Sequence, residues 1–111
     1  GNNNSLKISQ ETGTGNADHR VRAFYYNGDN NDTFIKQKGN GNKTAYLTVR
    51  TDGGEQSIIQ KDDGAHTATV DLTGTYHTDI SVLQYGNTTQ SYSVTNTCQT
   101  SGGCTLSVTQ N

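Results

Sequence analysis

Ile35-Lys36-Gln37-Lys38-Gly39-Asn40-Gly41-Asn42-Lys43-Thr44-Ala45-Tyr46-Leu47-Thr48-Val49 contains two alternating stretches separated by a Gly/Asn turn. Successive side chains of a strand point to opposite faces, so Ile35 and Gln37 share one face, and Ala45, Leu47 and Val49 share another. Gly39 and Asn42 flank the reversal, and both residue types reach positive φ at low steric cost. The segment reads as strand, turn, strand.

Working outward, the glutamine recurs as Gln10, Gln37, Gln60, Gln84 and Gln110, at intervals of 23 to 27 residues. Each closes an alternating stub: Leu6-x-Ile8-x-Gln10, Thr33-x-Ile35-x-Gln37, Gln56-x-Ile58-x-Gln60, Ile80-x-Val82-x-Gln84 and Leu106-x-Val108-x-Gln110. A second run follows at offsets of 8, 10 and 12 from the glutamine, selecting Ala45, Leu47 and Val49, then Ala68, Val70 and Leu72, then Tyr92, Val94 and Asn96. The first unit takes one extra turn residue and selects His19, Val21 and Ala23. Turn positions are Gly15 and Asn16, Gly39 and Asn42, Gly64, and Gly86.

This period predicts one all-β domain spanning residues 1–111, a two-sheet β-solenoid of about four and a half repeats. The repeats fall at about 4–30, 31–54, 55–77 and 78–103, with a half repeat at 104–111. All first strands are expected in one sheet and all second strands in the other, with rungs rising by about 4.8 Å and sheets about 10 Å apart. The glutamines are predicted to point inward, where stacked amides donate and accept along the axis and so escape the penalty of burial.

Composition alone would suggest disorder, because Leu, Ile, Val and Phe are scarce and Thr, Asn, Gly, Ser and Gln dominate. The net charge is only −2, however, and the few apolar residues are strictly periodic. Pro is absent, as suits a continuous ladder in which every residue donates. No basic cluster suggests a nucleic-acid partner, and no stretch approaches the roughly 18 apolar residues of a membrane helix. The start at Gly1 fits a mature exported chain whose signal has been removed, or equally a recombinant one.

The unit from Ile35 to Ala45 resembles the curlin repeat, whose core reads Gln-x-Gly-x-x-Asn followed by Ala. Val82-Leu83-Gln84-Tyr85-Gly86-Asn87 and Ser107-Val108-Thr109-Gln110 look like looser copies. The chain departs from the family where a second glutamine usually closes the returning strand, with Thr48, Asp71 and Thr95 there instead, and where Ser usually stands six residues before the first glutamine. The resemblance implies a secreted subunit of an extracellular amyloid fibre at the bacterial cell surface, serving biofilm matrix and adhesion. The implied partners are further copies of the chain, a nucleating subunit and an outer-membrane secretion pore. Neither membrane insertion nor a cofactor is implied.

No capping unit is legible beside Leu6 or Gln110, so the strand edges are expected to template further copies. Five first strands against four second strands leave a half rung, which places Cys104 to Asn111 at the expected subunit joint. Cys98 and Cys104 are spaced to allow a disulfide, the favoured fate in a secreted protein, with two unpaired thiols as the alternative. His19, His66 and His77 fall in different parts of their repeats and are expected to be solvated. With no nucleophile motif, the chain is not expected to be an enzyme. Asp29-Asn30-Asn31-Asp32 and Asp62-Asp63 read as turns, since neither carries a calcium-loop signature. Phe34, Ile59 and Leu83 are expected on the outward side of first strands, as lateral contacts or as isolated exposed residues.

The principal alternative function is a monomeric binding solenoid, such as an ice-binding one, built on Thr-x-Thr arrays. Thr67-x-Thr69, Thr73-x-Thr75 and Thr95-x-Thr97 fall at different offsets, which counts against it. A carbohydrate-processing β-helix is disfavoured by the short chain and the lack of clustered carboxylates.

Overall fold

A computed structural model describes residues 3–12, 18–25, 29–50, 52–72 and 76–111. The turn positions Gly15 and Asn16 lie outside the described residues, as does Thr73-x-Thr75. Among these described residues nine strands follow in chain order: β1 (Ser5–Thr12), β2 (His19–Tyr25), β3 (Asp32–Gly39), β4 (Lys43–Val49), β5 (Glu55–Gln60), β6 (His66–Leu72), β7 (Thr78–Gln84), β8 (Gln90–Asn96) and β9 (Cys104–Gln110). Among the described residues there is no helix.

Odd and even strands segregate. One sheet runs β1-β3-β5-β7-β9 and the other β2-β4-β6-β8, with every pairing parallel. Parallel strands cannot be joined by a two-residue hairpin, so each needs a crossover. Here the crossover is the strand of the opposite sheet, and the chain coils as a β-solenoid of about four turns. Register keeps like on like: Ile8, Ile35, Ile58, Val82 and Val108 form one column. Ala45 stands on Ala68, and Leu47 on Val70.

The core lies between the sheets. Ile35, Ala45, Leu47, Val49, Ile58, Ala68, Val70, Leu72, Ile80 and Val82 are buried, with Val21, Ala23, Tyr92, Val94 and Leu106 partly buried against them. Full burial of one such aliphatic side chain contributes about 1.5 to 3 kcal/mol. Two expectations need correction. Leu6 and Ile8 occupy inward register positions but remain 42% and 44% exposed, because β1 has a strand on one side only. Val108 and Gln110 on β9 are half-buried for the same reason.

The second correction concerns the first turn. His19 pairs with Lys43, Val21 with Ala45 and Ala23 with Leu47. Nine residues therefore separate Gln10 from His19, against six from Gln37 to Lys43, and the turn is three residues longer rather than one. A slip of two residues preserves the inward face, so Val21 still reaches the core, one position nearer the turn than expected.

The turns stack as regularly as the strands. Gly39, Asp62 and Gly86 hold one position on successive rungs, with φ of 117°, 68° and 99°. At Gly39 a Cβ would strike the Asp62 carbonyl of the rung above, so the close approach as well as the positive φ requires glycine. Side chains of one rung accept from the main chain of its neighbour: Asp63 Oδ1 from Asn40 N (3.2 Å), Asn87 Oδ1 from Asp63 N (3.4 Å) and Asp62 Oδ2 from Gly86 N (2.9 Å). Asp62 and Asp63, one of the two acidic stretches read as turns in sequence, thus bond the neighbouring turns through their side-chain oxygens.

Candidate functional site: side-chain columns and open edges

The five glutamines form a continuous ladder. Nε2 of Gln10 donates to Oε1 of Gln37 (2.8 Å), Gln37 to Gln60 (3.0 Å), Gln60 to Gln84 (2.8 Å) and Gln84 to Gln110 (2.7 Å). The second Nε2 hydrogen crosses to a main-chain carbonyl of the facing sheet: His19, Arg20, Thr44, Thr67 and Ser91 in turn, at 2.8 to 3.1 Å. Because a main-chain carbonyl only accepts and, of the two ends of a glutamine amide, only the nitrogen donates, these bonds fix the amide orientation. The ladder therefore has a direction. Among the described residues it presents an acceptor oxygen at Gln10 and a donor nitrogen at Gln110. Gln37, Gln60 and Gln84 are fully buried, with both amide hydrogens and the oxygen satisfied.

A second polar column sits where each first strand begins. Asn4 Oδ1 accepts from Asn31 N (2.9 Å) and Nδ2 (3.2 Å), and Asn31 Oδ1 accepts from Gly54 N (3.0 Å) and Gln56 Nε2 (3.2 Å). Thr33 Oγ1 donates to Gln56 Oε1 (2.7 Å). Asn31, Thr33, Gln56 and Thr78 are all buried. The polar residues two places before Ile35 and Ile58 were the signal available in sequence, though a Gln or Thr flanking a strand resembles any solvated end.

The third column overturns the expectation of solvation for His66, while His19 at its end is half-buried. His19, Lys43, His66 and Gln90 occupy the first inward position of β2, β4, β6 and β8. His66 and Lys43 are fully buried. Lys43 Nζ spends its three donors on the carbonyls of Gly41 (2.8 Å), Asp62 (2.8 Å) and Gly64 (2.7 Å). Burial lowers its pKa from 10.5, while the Asp63 and Asp62 carboxylates oppose that shift. His66 Nε2 bonds the Lys61 carbonyl (3.0 Å) and Nδ1 has no partner, as is also true of His19 Nδ1 and Gln90 Oε1. His66 is pushed below 6.5 first by burial and also by the Lys43 ammonium; the Lys61 and Gly86 carbonyls and Asp62 pull the other way. His77 lies elsewhere, its ring filling the space a Cβ on Gly103 would need.

A disulfide joins Cys98 to Cys104, with Cα atoms 5.8 Å apart, and closes the connector between β8 and β9. Among the described residues no group of three or more His, Cys, Asp or Glu is arranged to hold a metal. Among the described residues no helix is long and apolar enough to cross a membrane.

The two outward faces differ. On the four-stranded sheet, Thr44, Thr67 and Ser91 form one row, Tyr46, Thr69 and Ser93 a second, and Thr48, Asp71 and Thr95 a third. On the five-stranded sheet, an acidic row of Asp32, Glu55 and Asp79 borders one side, and Glu11, Lys38 and Lys61 border the other, Lys38 Nζ lying 3.7 Å from the Glu11 carboxylate. Between them run Phe34, Ser57, Ser81 and Ser107, then Lys36, Ile59, Leu83 and Thr109.

At the ends of the described stack, β1 and β2 on one side and β9 and β8 on the other each have one hydrogen-bonded neighbour. A cleft of about 500 Å³ opens between β1 and β2, lined by Ile8, Gln10, His19, Arg20, Val21, Arg22 and Tyr46. Compared with family models, curated proteins and solved structures, this chain matches none.

Proposed function

We propose that this chain is a structural subunit of an extracellular amyloid-like fibre of the curli kind, adding end to end to copies of itself in biofilm matrix and adhesion. The observation that carries the reading is the open end rung. Leu6, Ile8 and Gln10 continue the core columns in register, yet stand exposed beside the cleft between β1 and β2. An incoming chain that places one more rung there would bury those columns, pair the strand edges and supply the donor that Gln10 Oε1 accepts from. The mechanism is templated addition, in which the fibre end orders each new chain rung by rung. A nucleating subunit and an outer-membrane secretion pore are the partners such a subunit would require, and the bacterial cell surface is its proposed location. The function is scaffold and adhesion rather than catalysis.

Incubation of the purified chain near neutral pH should yield fibres by electron microscopy, with reflections near about 4.8 and 10 Å. A persistently monodisperse monomer would overturn the reading.

One observation favours a second reading. One of the Thr-x-Thr pairs, Thr67-x-Thr69, adjoins Ser91-x-Ser93 in register on the four-stranded sheet, whereas Thr95 stands beside Asp71. That hydroxyl array suits a binding solenoid that orders water. Thermal hysteresis by the monomer, without fibres, would support it.

A further inference from the structure

The outward face of the five-stranded sheet carries a ridge and a groove side by side. Ile59 and Leu83, stacked on adjacent rungs and half-buried, form the ridge. Serines on the neighbouring row, Ser57, Ser81 and Ser107, leave a trough of about 430 Å³, closed at one end by Phe34 and along its far side by Asp32, Glu55 and Asp79. Beyond the ridge stand Lys38 and Lys61, with Glu11 of β1 at the end of the row, 3.7 Å from Lys38 Nζ, and the Tyr85 ring beside Lys61. Across the strands the order is thus acidic row, groove, ridge, basic row.

We propose that stacked chains pair laterally through this face, two filaments being related by a twofold axis parallel to the stack. A rotation about that axis keeps the direction of both stacks and reverses the strands across the contact. Acidic row then opposes basic row on both sides, and each ridge lies over the other copy's groove. A twofold axis along the strands would instead set acid against acid and ridge against ridge, which like-charge repulsion disfavours. The face is therefore self-complementary in charge and in shape for one of the two arrangements only. Phe34 comes opposite Lys36 of the second copy, repeating across the contact the cation–π arrangement Lys7 makes with Phe34 within the chain at 6.0 Å. On the four-stranded sheet the outward charges are Arg20 and Arg22 on β2 and Asp71 on β6, set among hydroxyls and the rings of Phe24 and Tyr46, and they do not form an acidic row facing a basic one.

Size explains why the pairing belongs to filaments. Five strands of seven residues cover about 24 by 23 Å, so about 550 Å² from each copy, near the lower bound for a specific interface. Two single chains would hold together weakly. Repeated along a stack, the same contact is multivalent and the filaments stay paired. The inference thus rests on the fibre reading above.

The test is mass per length by scanning transmission electron microscopy. Wild-type filaments should show twice the value of a single stack. Glu55→Lys and Lys61→Glu should each halve it while the reflection near about 4.8 Å persists, because both side chains are exposed. The double variant E55K/K61E should restore the doubled value, since the exchanged rows again oppose unlike charge. A structural role for either residue would not be rescued in this way. Single-stack wild-type filaments, an E55K variant that stays paired, or a double variant that stays single would each overturn the pairing and leave the fibre reading standing. Absence of wild-type filaments would sink the fibre reading, and the pairing with it.

Discussion

At the scale of single residues, the buried polar columns distinguish this fold from an ordinary sandwich. Gln60 illustrates the dependence: it accepts from Gln37, donates to Gln84 and donates to the Thr44 carbonyl. Gln60→Leu conserves volume but strands the Gln37 amide hydrogen, the Gln84 oxygen and the Thr44 carbonyl. A buried unsatisfied group costs about 1 to 3 kcal/mol. The variant should lose at least that much by urea denaturation, and retention of the wild-type midpoint would show the ladder to be energetically idle. His66 makes a pH prediction. Its folded pKa lies below the ordinary 6.5, so between those values the unfolded chain binds more protons than the folded one. Stability is therefore full above about pH 6.5 and falls as the pH drops toward the lowered folded value. The Lys43 ammonium on the adjacent rung adds to that loss, while Asp62 opposes it. His66→Gln places there the residue type that Gln90 shows the column accommodates, and it should flatten the acid limb. An unchanged limb would assign the pH dependence to other groups.

For a strand, the decisive property is which face each residue meets. In β5, Ile58 is fully buried while Ser57 points outward and is half-exposed. Ile58→Lys puts an ammonium between the sheets, next to Ile35 and Val82, where no partner awaits it, and should abolish folding and assembly. Ser57→Lys should leave the folded rung intact by circular dichroism. Equal damage from both would mean that the faces are exchanged. At β9 the disulfide ties Cys104 to the connector after β8. In the chain-entropy description, closing so short a loop contributes about 2 kcal/mol. Cys98→Ser with Cys104→Ser should lower stability by about that amount, and β9 should lose amide-exchange protection before the inner strands do. The strands were legible in advance because period-two alternation encodes a face directly. The first turn was not: two slips that differ by an even number leave the same residues inward, so only the pairing of His19 with Lys43 could separate them.

For the whole molecule, each rung touches its neighbours and little else, as expected of a linear repeat stack. Excising residues 55–77 removes one strand of each sheet and brings Gln37 beside Gln84, with every column continuous. The shortened chain should still fold, with a urea m-value reduced by roughly a quarter, since m scales with the surface exposed on unfolding. Loss of folding would show that the units are not interchangeable. The described stack measures 44 × 24 × 14 Å, a thin slab with two broad faces and, at each end, strands that have one hydrogen-bonded neighbour. Faces and ends are thus the surfaces available for assembly, and they differ chemically from one another.

By itself the sequence determined the coil: a glutamine every 23 to 27 residues, alternation on both sides of it and Gly/Asn turns leave parallel stacking as the arrangement that buries all the apolar positions at once. Local pattern suffices because a strand's two faces follow from chain geometry. Beyond the repeat glutamines, tertiary structure alone decided which polar residues are interior. Lys43, His66, Asn31 and Gln56 look like surface residues in any window, and only stacked rungs bring the carbonyls of Gly41, Asp62 and Gly64 around one ammonium. It also decided what the outer faces present, since rows along the axis are made of residues some two dozen positions apart in sequence.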